Sequence, residues 1–168
     1  MTPSAATRTV PVYRAPMRSR RAGVTDGPAI ERALRLGVCG LGGILTPAPR
    51  SPGEVVAAAA LQHDERLARR IERFGAAPDG SLVWTRDIDG LYWLGRLGGS
   101  LRYDGTGEAL EVDLVHVRDC DWMPAPVPDP VVPSAVLATF ARGGRNWQEI
   151  RAAGVGEASA SIWSTSGR

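Results

Sequence analysis

Apolar and polar residues change their spacing several times along the chain, and each change predicts an element. Val12 to Met17 reads as a first strand, with Pro16 placing it at a sheet edge or a bulge. Thr25 or Asp26 can cap a helix that starts on Pro28 and ends at Gly37, with Ile30, Ala33 and Leu34 on one face. Gly37 to Gly43 alternates small and apolar residues, the mark of a short buried strand whose glycines let another backbone or a ligand come close. Ser51, Pro52 and Glu54 then form an S-x-x-E capping box. Behind it, Val56, Ala60, Leu67, Ile71 and Phe74 keep a helical stripe, which predicts one long helix to about Phe74 with Arg66, Arg69, Arg70 and Arg73 on its other face.

Beyond the turn Pro78-Asp79-Gly80 the period falls to two. Strands are expected over Ser81 to Arg86, Leu91 to Leu97, Leu101 to Tyr103 and Leu114 to Trp122, the first two joined by the hairpin signal Asp87-Ile88-Asp89-Gly90. Tyr92, Trp93, Tyr103 and Trp122 stand beside Gly95, Gly98 and Gly99, which suggests a curved sheet with an aromatic-walled hollow. Core packing is the alternative for those rings. A proline-rich loop from Pro124 to Pro133 leads to a short helix near Ser134 to Phe140 and an extended segment around Asn146 to Ile150. The expected division is a disordered lead over residues 1–10, a domain over 11–152 and a loose tail over 153–168, with Trp163 unexplained in it.

Composition narrows the class. A chain of 168 residues that is 43% hydrophobic and 23% charged fits one ordinary globular domain. It has no apolar run of about 18 residues and no secretory leader, so a cytoplasmic protein without membrane partners is expected. Cys39 and Cys120 lack metal-site spacing and read as buried free thiols. All 20 basic residues are arginine, so the presence of arginine at a given place says less than its clustering. That clustering is marked: residues 1–25 hold five arginines and no acid, whereas 79–129 hold ten acids against four arginines. An anionic ligand would favour the N-terminal strand and the arginine-rich helix.

Few residues offer catalytic chemistry. His63 and His116 have no nucleophile or metal-ligand partner at a useful spacing, and the glycine clusters lack the lysine and the strand-turn-helix context of phosphate-binding loops. Asp119 and Asp121, with Asp113, are the acids that a hydrolase would have to use, and an enzyme is the least expected class. No cofactor and no metal are expected. Arg18, Arg20 and Arg21, clustered before a helix N-terminus without nearby acids, are the candidate anion site.

The order of these pieces resembles the PUA-like, EVE-like domain at the front of Mrr-type restriction proteins. RSRRAGVTDGPAIERALRLGVCGLGG is similar to that family's opening turn, helix and glycine-flanked strand. GSLVWTRD resembles its Gly-Asp-Leu-Val strand, GRLGGSLRYD its hairpin, LVHVRDCDW its His-x-Arg-x-Val-x-Trp strand and VPSAVLATFARGGRNWQEI its closing helix and strand. The resemblance implies an α+β fold: a small PUA-like β-barrel of about five to seven strands with two or three helices packed outside. It also implies a non-catalytic module for DNA or RNA, often for a modified base. Arg18, Arg20 and Arg21 would hold phosphate, Trp93, Tyr103 or Trp122 would stack the base, and His116 and Arg118 would lie on the wall strand. Gly43 and Leu101 stand where the family usually places rings. A GAF-like small-molecule sensor and a protein-interaction module using the Pro124 to Pro133 loop are the other classes.

Overall fold

Along β3 (Leu82–Arg86), Leu82 and Trp84 enter one apolar cluster and Val83 enters another. This period of two divides the interior into a core on each face of the sheet. The computed structural model describes residues 9–144 and 146–166. In it, six strands form one mixed sheet: β1 (Val12–Arg14), β2 (Val38–Leu41), β3, β4 (Tyr92–Tyr103), β5 (His116–Trp122) and β6 (Gln148–Glu149). Their spatial order is β2-β5-β4-β3-β1-β6, with β1 and β3 parallel and every other pair antiparallel.

Helices cover both faces. α1 (Pro28–Leu36), α2 (Pro52–Gln62) and α3 (Glu65–Ala76) pack on the first core through Ile30, Val55, Ile71 and Phe74. α5 (Ser134–Ala141) and α6 (Val155–Thr165) close the second core through Val136 and Val155, and the short α4 (Gly107–Val112) sits before β5. α4 is tied to α1 because the Arg32 guanidinium pairs with Glu108 and, at 3.2 Å, with Asp104. No described helix is long and apolar enough to cross a membrane.

Several expectations need correction. The sheet ends at β2 and β6, which do not pair with each other, so its hydrogen bonding does not close a barrel. Among the described residues there are six α-helices, against the two or three expected. The predicted long helix breaks at His63 and Asp64, where the Asp64 carboxylate accepts the Leu67 N–H at 2.8 Å and starts a new helix. The Ser51 side chain does not cap α2; Glu54 instead accepts the Arg50 N–H at 2.9 Å. The two strands expected between Leu91 and Tyr103 are one strand, irregular between Gly98 and Arg102.

The supposed loose tail is α6. Val155, Ser159 and Ile162 repeat at helical spacing, Ile162 and Trp163 pack on the second core, and Ser159 is the acceptor for the buried Trp84 indole N–H at 3.0 Å. Val10, assigned to the lead, also packs on that core; residues 1–8 lie outside the described residues. In the proline-rich loop, Val127 and Val132 are buried against the same core.

Arg118 joins the layers. Only 1% exposed, it donates to the carbonyls of Phe74 and Ala77 at the end of α3, to that of Gly99 in β4, and to the Asp79 carboxylate at 2.8 Å. Replacing it with methionine fills the space but strands three acceptors, so Arg118→Met should lower unfolding stability by about 3–5 kcal/mol. Urea denaturation measures this, and a loss below about 1 kcal/mol would mean that water or neighbouring donors take over the carbonyls.

Candidate functional site

The chain leaves β1 through Ala15, Pro16 and Met17, and it leaves β2 through Gly42 and Gly43. These two exits lie side by side because one carboxylate joins them. Asp113 accepts the Ser19 hydroxyl hydrogen on Oδ2 at 2.5 Å and the Gly43 N–H on Oδ1 at 2.9 Å. Ser19 Oγ in turn accepts the Arg21 N–H at 3.0 Å. A Cβ on Gly42 would lie 2.6 Å from Asp113 Oδ2, and Gly43 has φ +120°, so glycine is needed at this junction.

Between the exits, α3 and the segment before β6 lies a hollow of about 340 Å³. Small-molecule sites span roughly 300–1,000 Å³. Met17 (φ 50°) and Asp113 (φ 54°), the non-glycine residues with left-handed backbone among the described residues, both line it. Such backbone is unfavourable by roughly 1–2 kcal/mol for ordinary L-residues and gathers at functional sites.

Exposed Arg18, Arg20 and Arg21 form the mouth on one side, with Arg70 of α3 opposite and His63 and Asp64 at the α2–α3 break. Arg20 donates to Asn146 Oδ1 at 2.6 Å, and Arg21 donates to the Leu110 and Glu111 carbonyls. Arg18 lies 4.0 Å from Asp26. Arg70 has no hydrogen bond or ion pair among the described residues. Burial, then Arg20 and Arg73, pull its pKa down, so a bound anion would relieve it. On the inner wall, Trp147 stacks on Tyr13 with centroids 4.2 Å apart and meets Phe74 edge-on; its buried indole N–H has no described acceptor.

His116 supports the β2 exit from behind. Its Nε2 lies 2.8 Å from the Gly43 carbonyl, which can only accept, so the neutral ring carries its proton there and leaves Nδ1 buried with no hydrogen-bond partner among the described residues. Burial lowers its pKa, with His63 acting the same way; the Gly43 bond and Asp113 oppose this without outweighing it.

Thus the structure brings Arg18, Arg20 and Arg21 together and keeps the aromatic candidates away from them. Tyr103 is spent on Leu45, accepting its N–H at 2.9 Å, and lies edge-on to His116. Trp122 donates to the Val38 carbonyl at 2.9 Å and covers Gly95, where a Cβ would sit 2.6 Å from its ring. Trp93 is half-buried and bonded to Asp87, beside a separate hollow between α1 and the β3–β4 turn. Arg118 is enclosed in the interior. Asp119 and Asp121 lie exposed on β5, with Asp119 paired to Arg102 at 2.9 Å. Both cysteines are buried free thiols, and burial pushes Cys39 up to about 12.

Trp147 and Met17 were the missing wall residues. Their only signals were a lone tryptophan in a glycine-rich stretch and a methionine next to the arginine cluster. No protein-family model matches this chain, and comparison with curated proteins finds no match.

Because the folded state holds His116 neutral, protonation of the unfolded chain competes with folding below the ordinary histidine pKa near 6.5. The contribution is complete above that value and is lost as pH falls toward the lower folded pKa. His116→Gln, whose amide can still donate to Gly43, should flatten the fall in stability between about pH 7.5 and pH 5.5. Equal slopes for the two proteins in denaturant titrations would show that His116 is not the group involved.

Proposed function

We propose that this chain is a non-catalytic, PUA-like binding module for a nucleotide of DNA or RNA, with the base in the hollow at the β1 and β2 exits. Phosphate is held at the mouth by Arg18, Arg20 and Arg70. The carrying observation is the convergence of these guanidinium groups on one hollow, with Arg70 in no described hydrogen bond or ion pair. Guanidinium pairs readily with phosphate, and loss of its solvation is offset when the anion arrives.

The fold supports this reading at the level of a mixed six-stranded sheet with helices on both faces. Barrel-like curvature of that sheet belongs to the proposal. So does a modified base as ligand. The ring that serves the base is Trp147, since Trp93, Tyr103 and Trp122 are bonded elsewhere.

Arg70→Gln tests the site with little effect on folding, because Arg70 makes no described bond. Fluorescence anisotropy with labelled short single strands at low salt should show several-fold weaker binding, and the slope of log affinity against log salt should fall by about 0.7 for one lost phosphate contact. Affinity weaker than millimolar for the native chain, with no effect of changing Arg18, Arg20 or Arg70, would remove nucleic acid as the ligand.

A further inference from the structure

Asp113 does more than join two loops. It is 6% exposed, lines the hollow, and makes no ion pair among the described residues although three arginines of the mouth are near in the fold. The described contacts of those arginines are with other groups: Arg20 with Asn146 and Arg18 beside Asp26, both at the exposed rim where an anion can replace them, and Arg21 with two carbonyls. The carboxyl group therefore makes its described hydrogen bonds only with Ser19 and Gly43, inside a site otherwise lined by cationic side chains.

An ionised carboxylate has about four lone-pair positions, two on each oxygen. One on Oδ1 receives the Gly43 N–H and one on Oδ2 receives the Ser19 hydroxyl. Each oxygen retains one more. Because Ser19, Gly43 and the left-handed backbone at Asp113 hold the group from three sides, its orientation is set before any ligand arrives.

Resting on the nucleotide reading above, we propose that Asp113 is a specificity-determining residue that selects a base with two adjacent N–H donors, the arrangement on the pairing edge of guanine. Guanine offers N1–H and the exocyclic amine side by side and can engage both oxygens, as the two-pronged arginine–carboxylate pair does. Adenine and cytosine present one amine beside a bare ring nitrogen whose lone pair meets the carboxylate. Uracil and thymine present one N–H between two carbonyl oxygens, both repelled by it. The mouth takes the negative end of the ligand and the inner end takes donors, so the site is polarised along its depth.

The test compares short single-stranded oligothymidylates with the same strands carrying one central guanine, adenine or cytosine. The guanine strand should bind about tenfold tighter than plain oligothymidylate, with adenine and cytosine between them. Asp113→Asn keeps one acceptor oxygen and tolerates left-handed backbone, and it should bring the strands to near parity, with weaker guanine-strand binding and stronger oligothymidylate binding as the repulsion of the thymine carbonyls is removed. A merely structural role for Asp113 would instead lower affinity for all strands together. Equal binding of all four strands by the native chain overturns the selectivity and leaves the nucleotide module standing. No binding of any strand overturns both, and since the native comparison decides the point, it holds even where the variant folds poorly.

Discussion

Arg118 is a buried cation that fixes the sheet against the end of α3, and the position of the hollow follows from that contact. Removing a guanidinium from water is expensive unless its donors are filled, and here they are filled by backbone carbonyls at the end of α3, by Gly99 in β4 and by Asp79. The carbonyls at a helix end have no partners within the helix, so the same bonds serve both sides. Phe74 lies under the guanidinium, 6.0 Å from ring centroid to charge, and meets Trp147 on its edge. Since Phe74 is about one helical turn beyond Arg70, fixing the end of α3 also fixes the arginine that faces the hollow.

The hollow itself is assembled by a second buried polar side chain, the carboxyl group of Asp113. Asp113 holds the exits of β1 and β2, which follow one another in sequence but lie toward opposite edges of the sheet, with no strand pairing between them. Without that carboxylate, Ser19 and the Gly43 N–H would have to find other partners inside the protein. Left-handed backbone at Met17 and Asp113 is tolerable because the surroundings hold it on several sides. A rigid site of this kind suits recognition, where ordering a loop at the moment of binding would subtract from affinity.

Local chemistry made much of the fold legible. Pro28 and Gly37 bound α1 as the sequence suggests, β2 falls within Gly37 to Gly43, and the β3–β4 hairpin follows Asp87 to Gly90. The failures share a physical cause. A helical stripe continued through Asp64 because two successive helices with apolar faces look like one, and the new cap was a single carboxylate. Small residues hid α6, whose buried positions include Gly156 and Ser159. The aromatic hairpin misled because alternation shows which residues share a face without showing what covers it: Trp122 covers Gly95, and the ring near the arginines is Trp147. Its position depends on β6 pairing with β1, a contact across more than a hundred residues.

Charge separation along the sequence becomes charge separation in space. Asp119 and Asp121 project from β5, and Glu31, Asp87 and Asp89 surround the Trp93 hollow. Arg18, Arg20, Arg21 and Arg70 gather at the Asp113 hollow, and Arg73 extends the positive surface toward Trp147 and Gln148, where Arg151 is paired with Glu149 at 2.9 Å. Screening limits each charge to about 8 Å at physiological ionic strength, so a single arginine steers little. A contiguous set acts together and raises the local concentration of anions at one mouth. A polyanion reaching the β5 face meets carboxylates, whereas one reaching the α3 face meets guanidinium groups. Arg70, which makes no described hydrogen bond or ion pair, lines both this hollow and the neighbouring one, so it is the guanidinium best placed to offset the desolvation of a phosphate there.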